Sequence, residues 1–165
     1  MTPKHIFSFG MLLCGCLLCA QEIKNADFSG WSGKKPAFWT VDGSGLELKK
    51  NDNNGLEVKI LSEGKLDSAI HQRVVGLPAN KAYRFSAEID APAKCAYIQV
   101  KLYRDKRELK RMDSGLNRHA GKTLLKVDFN TGDYDLALLC LRTPMKGNAV
   151  GKSVVFSNLK LSEQK

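Results

Sequence analysis

Four side chains that alternate along one stretch of the chain could bind a ligand on a shared surface. Tyr97, Gln99, Lys101 and Tyr103 are spaced two residues apart, so an extended strand would place all four on one face. Phenol rings can pack against the apolar C–H face of a pyranose, while an amide and a cation can meet its hydroxyl groups. The two tyrosines could equally be ordinary cross-strand packing residues, and the sequence leaves both interpretations open.

Two further side chains extend this candidate sugar site. Trp31 follows Phe28-Ser29-Gly30 in a loop, where it could stand at the rim of a cleft. Arg142, near the end of a later strand, is an additional polar candidate. The rings predicted to stack against sugars are those of Tyr97, Tyr103 and Trp31. The predicted hydroxyl partner is the amide of Gln99. Two cations are predicted to contact charged or hydroxyl groups, Lys101 and Arg142.

Catalysis has little support in the sequence. His71 and His119 are the histidines beyond residue 20, and neither lies in a metal-ligand or catalytic-triad motif. No motif identifies Cys95 or Cys140 as a nucleophile, and no pair of carboxylates is marked out for glycoside hydrolysis. We therefore predict a protein that is not an enzyme, with no catalytic residues, no metal ligands and no cofactor.

The N-terminal segment resembles an export signal. Lys4 precedes an apolar run over 6–18 that is too short to span a bilayer comfortably. Cleavage after Ala20 would leave residues 21–165 as one domain. Alternatively, Leu13-Cys14-Gly15-Cys16 resembles a bacterial lipobox, which would make Cys16 the site of lipidation. Both alternatives predict an exported protein, located in the periplasm, outside the cell or anchored in the outer membrane.

Charge and cysteine content each leave alternatives. The net charge of +9 could favour acidic polysaccharides or other anionic polymers, with nucleic acid a weaker candidate, or could simply keep the protein in solution. Cys95 and Cys140, the two cysteines beyond residue 20, could form a disulfide in an oxidising compartment. Two buried free thiols are the alternative.

The hydrophobic pattern predicts an all-β protein. Tyr83, Phe85, Ala87, Ile89 and Ala91 alternate with polar residues, which indicates a strand with one buried face. Similar segments, separated by Gly and Asn turns, predict about eight or nine strands in a single antiparallel β-sandwich. The main ones are 45–50, 55–61, 95–104, 123–130, 134–143 and 153–161.

Several local predictions refine this pattern. Asn54-Gly55 suits the positive φ angles of a tight hairpin, and Thr131-Gly132-Asp133 is predicted to join two strands in a second hairpin. The basic segment 105–122 fits a polar edge strand better than a helical turn, because charged edges deter sheet aggregation.

Three motifs resemble the CenC-like carbohydrate-binding modules, which are jelly rolls of the galactose-binding-like superfamily. Residues 25–28 resemble the family's opening strand, and residues 154–161 resemble its closing strand. The central motif matches at ten positions: Gln72, Val74, Gly76, Leu77, Pro78, Lys81, Tyr83, Phe85, Ser86 and Ala87. The resemblance implies a jelly roll that binds carbohydrate across the concave face of one sheet. It also implies a core role for Trp39, which falls where the family often carries a tryptophan early in the fold. It also implies a structural calcium, but Ser29 and Ser157 replace its acidic ligands, so we expect no tightly held calcium.

Together these observations predict an exported, noncatalytic module that binds a polysaccharide or glycoconjugate, including acidic ones. The alternative is an envelope protein that docks another protein or has a structural role with the same sandwich fold. A minor alternative is binding of acidic surface polymers through 104–122. A glycan site requires exposed Tyr97 and Tyr103 in a groove, whereas docking favours a flat or convex apolar patch.

Overall fold

The computed structural model describes residues 22–64 and 66–165. The predicted signal segment 1–20 and the lipidation candidate Cys16 lie outside the described residues. Within these two ranges, no helix is long and apolar enough to cross a membrane.

Strands account for almost all regular structure in the described residues. Two short strands, β1 and β2, form a separate hairpin, and the other ten build two larger sheets. In chain order the strands are β1 Trp31–Ser32, β2 Lys35–Pro36, β3 Thr40–Asp42, β4 Leu46–Asn51, β5 Gly55–Ile60, β6 Ser68–Val75, β7 Ala82–Ala91, β8 Tyr97–Arg104, β9 Arg107–Asp113, β10 Gly121–Asn130, β11 Leu136–Thr143 and β12 Ser153–Glu163. One 3-10 turn, Gly147–Ala149, precedes β12.

The two sheets each contain five antiparallel strands. The first sheet has the order β10-β7-β12-β5-β4, and the second sheet has the order β3-β6-β11-β8-β9. The chain crosses repeatedly from one sheet to the other, so most strands that are neighbours in sequence are not neighbours in space. This arrangement is the predicted all-β sandwich of the jelly-roll type.

The core lies between the inner faces of the sheets. Phe85 from β7 and Phe156 from β12 meet apolar side chains such as Leu139 of β11, and all three are fully buried. Trp39 is 2% exposed, with its ring 5.4 Å from that of Phe28, which confirms its predicted core position. Burial of each such side chain contributes about 1.5–3 kcal/mol, so the sandwich has a substantial core.

The strand alternation that the sequence predicted is confirmed in β7 and β8. In β8, Ile98, Val100 and Leu102 face the core and are at most 1% exposed. β9 is the edge strand of the second sheet, which confirms the prediction of a polar edge in the basic segment. β8 begins at Tyr97, two residues later than predicted.

The predicted second hairpin is wrong. β10 pairs with β7 in the first sheet, whereas β11 pairs with β6 and β8 in the second. Thr131 instead anchors a connection between sheets, because its hydroxyl donates to the Pro78 carbonyl at 2.6 Å and accepts from the Lys81 amide at 2.9 Å. The apolar side chains of β10 alternate with polar ones, as expected of an edge strand that buries one face against the core and exposes the other.

The predicted Asn54-Gly55 hairpin forms with a different turn. Asn54 has a positive φ of 55°, while Gly55 already pairs with Asn51 in the ladder of β4 and β5. Glycine is needed here for space: a Cβ at Gly55 would lie 2.9 Å from Val155 Cγ1. The hairpin loop therefore has one residue in the left-handed conformation, Asn54, directly before β5 begins.

Candidate functional site

The outward side of the second sheet collects most of the side chains that the sequence marked for binding. We call this surface the outer face. The strand register aligns its side chains in cross-strand rows, which include Tyr97 with Arg142, Gln99 with Cys140 and His71, and Lys101 with Leu138, Arg73 and Arg111. Tyr103 lies opposite Glu108 of β9 at the far end.

Two side chains in the middle of the outer face are buried. Cys140 and Gln99 alternate away from the core, yet Cys140 is 0% and Gln99 is 3% exposed. In the register of the sheet they lie between the rows of Tyr97 with Arg142 and Lys101 with Leu138, whose longer side chains shield them from solvent.

Tyr97 is held at one end of the outer face by a polar network. Arg142 Nε donates to the Tyr97 hydroxyl at 3.3 Å, and that hydroxyl donates to Asp67 Oδ2 at 2.8 Å. The Arg142 guanidinium lies 5.8 Å from the ring centroid, which is within the range of a cation–π contact. Burial, helped by the hydrogen bond to Asp67, raises the pKa of Tyr97, so the phenol stays neutral and the ring stays fixed.

Tyr103 is fixed at the opposite end through Glu108. Its hydroxyl donates to Glu108 Oε2 at 3.1 Å, and Arg111 Nε donates to Glu108 Oε1 at 2.7 Å. The Arg111 hydrogen bond lowers the pKa of Glu108, while burial raises the pKa of Tyr103. Lys101 Nζ lies 3.5 Å from Glu108 Oε2, so this one carboxylate is shared by two cations, Lys101 and Arg111.

Two buried polar atoms of the outer face have no hydrogen-bond partner within the part of the chain that the structure describes. Gln99 Oε1 and His71 Nδ1 are buried and have no hydrogen-bond partner among the described residues. His71 Nε2 lies 2.9 Å from Asp42 Oδ2, so a neutral ring that donates from Nε2 leaves Nδ1 as an acceptor. An unsatisfied buried polar atom costs about 1–3 kcal/mol. The hydroxyl donors of a ligand would remove that cost once the longer side chains beside these atoms moved aside to admit it.

His71 was missed as a binding residue by the sequence analysis, which treated it as a half-exposed strand position. Its residue type and alternation gave no functional signal. The structure places it opposite Cys140, with Gln99 on the other side of that cysteine. This alignment depends on the register of three strands, which cannot be read from any one segment.

Trp31 lies apart from the other predicted site residues. It is on β1 and lines a groove between the β1–β2 hairpin and the edge strand β4. The residues that line this groove include none of Tyr97, Gln99, Tyr103 or Arg142. The structure thus brings five of the six predicted binding residues to one face and places the tryptophan elsewhere.

The two cysteines are free and buried, which corresponds to the alternative of two buried free thiols. Cys95 packs in the core, whereas Cys140 belongs to the outer face. Cys140 lies opposite Gln99 in the neighbouring strand. Because Gln99 is four residues after Cys95, the two cysteines are separated by about 13 Å along the strand direction. A disulfide requires the two Cα atoms within about 7 Å.

Cys140, His71 and Asp42 are residue types that occur together in cysteine catalysis, but their properties here do not suit it. Burial raises the pKa of the Cys140 thiol to about 11, whereas a nucleophilic cysteine needs a lowered pKa. The thiol contacts the Leu138 carbonyl oxygen at 3.8 Å. Among the described residues, no three His, Cys, Asp or Glu side chains are grouped to hold a metal ion.

Comparison with solved structures identifies the fold. The enzymatically active domain of tailspike protein 4 from bacteriophage CBA120 has a TM-score of 0.64 and 8% identity. The match covers 79% of this chain but only 20% of the tailspike chain. A CBM4 structure also has a TM-score of 0.64, with 14% identity over 87% of this chain and 100% of the other. TmCBM61, solved with β-1,4-galactotriose, has a TM-score of 0.53 and 14% identity, covering 86% and 97% of the two chains.

Carbohydrate-binding modules of families 16, 22 and 29 are also among the structural neighbours. No protein-family model matches the sequence, and no curated protein matches it. The similarity therefore reaches carbohydrate-binding modules in general and does not single out the CenC-like ones. At these low identities it shows the fold alone: the chain is a β-sandwich of the type found in carbohydrate-binding modules.

Proposed function

We propose that this protein is an exported, noncatalytic carbohydrate-binding module that holds a glycan on the outer face. The observation that carries the proposal is the pair of buried, unpartnered acceptors, Gln99 Oε1 and His71 Nδ1. They flank Cys140 in one cross-strand row, and a polyhydroxylated ligand supplies the donors that they lack.

Aromatic rings flank these acceptors along β8. Tyr97 and Tyr103 are both half-buried, and each is fixed through its hydroxyl, so little conformational entropy is lost when a sugar packs against either ring. Arg142 and Lys101 add donors beside them. The fold is consistent with this use, because its neighbours include TmCBM61, which was solved with a galactotriose.

The test is binding of the chain from residue 21, which contains both sheets, to neutral polysaccharides that include β-1,4-galactan. We expect retention at both low and high salt, because ring stacking and hydroxyl contacts are screened little by ions. Tyr97→Ala/Tyr103→Ala should weaken binding by about tenfold or more, from about 0.5–1.5 kcal/mol per ring. Circular dichroism checks that the variant is folded.

A matched control lies on the other sheet. Leu124→Ala/Lys126→Ala truncates two exposed side chains of β10 and should leave binding unchanged. Failure of every glycan to bind would favour the alternative role in docking an envelope protein. Binding only at low salt, unaffected by the tyrosine variant, would instead favour contact of acidic polymers with the basic segment 104–122.

Export is proposed from the N-terminal sequence. Mass spectrometry of the protein recovered from a bacterial envelope should give a mature chain that begins at Gln21. A chain that begins at a lipidated Cys16 would support the outer-membrane lipoprotein alternative. An intact Met1 in the cytoplasm would contradict both forms of export.

A further inference from the structure

A wide groove lies beside Trp31, away from the outer face. It has a volume of about 1050 Å³, which is slightly above the usual range for small-ligand sites and leaves room for more than one sugar ring. Its apolar lining includes Val41 of β3, together with Leu46 and Leu48 of β4. These side chains are only partly buried and could contact a ligand.

Trp31 forms a fixed aromatic wall of this groove. Its Nε1 donates to the Phe28 carbonyl at 2.9 Å, and β1 pairs it with Pro36. The ring packs partly against the core but remains half-exposed. A preorganised indole of this kind can stack against a pyranose ring with little further loss of side-chain entropy.

Lysines dominate the charge around the groove. Lys34, Lys35, Lys49 and Lys50 line it, and Glu47 is its one acidic lining residue. Glu47 already pairs with Lys49 at 2.9 Å, which leaves three lysine charges without an acidic partner in the lining. Lys34 lies in the two-residue β1–β2 turn and Lys35 begins β2. Gly33 supplies the positive φ of 62° that this turn requires.

We propose that this groove is a second glycan site, selective for acidic polysaccharides that carry uronate carboxylates. Trp31 would stack on a sugar ring while the lysines neutralise the carboxylates of the same or adjacent residues. The combination of an apolar aromatic wall and excess positive charge matches a uronate better than a neutral sugar, which has no group to balance the lysines.

An acidic peptide added as a strand to β4 is the competing occupant. β4 is an edge strand of the first sheet, and its Lys49 and Lys50 are exposed. Lysines on an edge strand oppose pairing with a further strand. A polysaccharide needs no backbone ladder and can use the tryptophan and the lysines together, so the charge and the aromatic ring favour it.

The site does not depend on the function of the outer face, because the two surfaces share none of their proposed binding residues. The test is titration calorimetry of the chain from residue 21 with an oligogalacturonate, and with its methyl-esterified form as a neutral probe. We expect binding of the acid form, at least about tenfold weaker binding of the ester, and a strong decrease in affinity at high salt.

Matched variants locate the binding. Trp31→Ala and, separately, Lys34→Gln/Lys35→Gln should each weaken oligogalacturonate binding about fivefold or more. Lys106→Gln/Lys110→Gln removes the same charge at the far edge of the second sheet, and should change the affinity for oligogalacturonate by less than about twofold. The lysine variant touches no core residue, so it remains informative if Trp31→Ala fails to fold.

The proposal is overturned if the acid form does not bind, or if the ester binds equally well. Equal losses in the two lysine double variants would show diffuse attraction by net charge. Loss in Tyr97→Ala/Tyr103→Ala would place the uronate on the outer face. Displacement of the oligogalacturonate by an oligoglutamate of equal charge at equal affinity would overturn selectivity for sugar.

Discussion

Replacing Gln99 by methionine should stabilise the protein and weaken its glycan binding. Methionine has a similar volume and removes the buried amide, whose Oε1 has no partner among the described residues. An unsatisfied buried polar atom costs about 1–3 kcal/mol, so the free energy of unfolding should rise by about 1 kcal/mol. For a domain of this size, that corresponds to an increase in Tm of about 2–4 °C.

Gln72 provides a matched control for the same substitution. It is also buried, at 5% exposure, but its Oε1 accepts from the Lys24 amide at 2.7 Å and its Nε2 donates to the Lys24 carbonyl at 2.8 Å. Gln72→Met leaves those backbone groups without partners and should lower the free energy of unfolding by about 1–3 kcal/mol. One chemical change therefore gives opposite signs at two buried glutamines.

Urea unfolding of both variants, monitored by fluorescence, shows whether each substitution raises or lowers the free energy of unfolding. Binding to the glycan identified for the wild-type protein should fall about tenfold or more in Gln99→Met, if the amide makes a hydrogen bond to the ligand worth about 1.4 kcal/mol. A loss of stability in Gln99→Met as large as that in Gln72→Met would refute the reasoning. It would show that the Gln99 amide serves the fold and is not held free for a ligand.

Three further predictions concern the framework around the site. Asn117→Ala should lower stability by about 2–4 kcal/mol in urea unfolding, because Asn117 Oδ1 accepts from the Cys95 and Ala96 amides at 2.8 and 2.9 Å. Asn117→Asp should also lower it, because the amide nitrogen that donates to the Pro92 and His119 carbonyls would become a buried carboxylate oxygen. Burial raises the pKa of Cys140 from 9.0 to about 11, so above pH 9 the unfolded chain loses the thiol proton first, and stability should fall by about 2–3 kcal/mol up to pH 11. Cys140→Ala should remove that part of the pH dependence, and an unchanged profile would contradict it. Asp128→Asn breaks an ion pair with Arg84 in which the arginine side chain is 37% and the aspartate side chain 60% exposed. Because exposed pairs contribute little, the urea midpoint should stay almost unchanged, and a clear decrease would show that the pair is structurally important.

Local pattern predicted the strands and their faces well. The alternation in β7 and β8 identified both the buried side and the polar side, because a strand's two faces follow directly from its period of two. The edge strand β9 was also predicted from its own charged composition, and the core position of Trp39 from the family resemblance. These features depend on short segments, and the structure changes only their ends.

Features that depend on which strands are neighbours were not predicted. Thr131-Gly132-Asp133 has the composition of a hairpin turn, yet the strands on either side of it belong to different sheets. The burial of Gln99 and the relevance of His71 follow from the register of β6, β11 and β8. No pattern within one segment contains that register, which also separates Trp31 from the outer face.

The spacing of groups on the outer face bears on the size of its ligand. Tyr97 and Tyr103 are six residues apart on one strand, which corresponds to about 20 Å. The two free acceptors lie between them in the row of Gln99. A monosaccharide is too small to reach both rings and the acceptors together. The proposed site therefore gains most from an extended oligosaccharide that follows β8, with its hydroxyl groups turned toward Gln99 and His71 and separate sugar rings against each tyrosine.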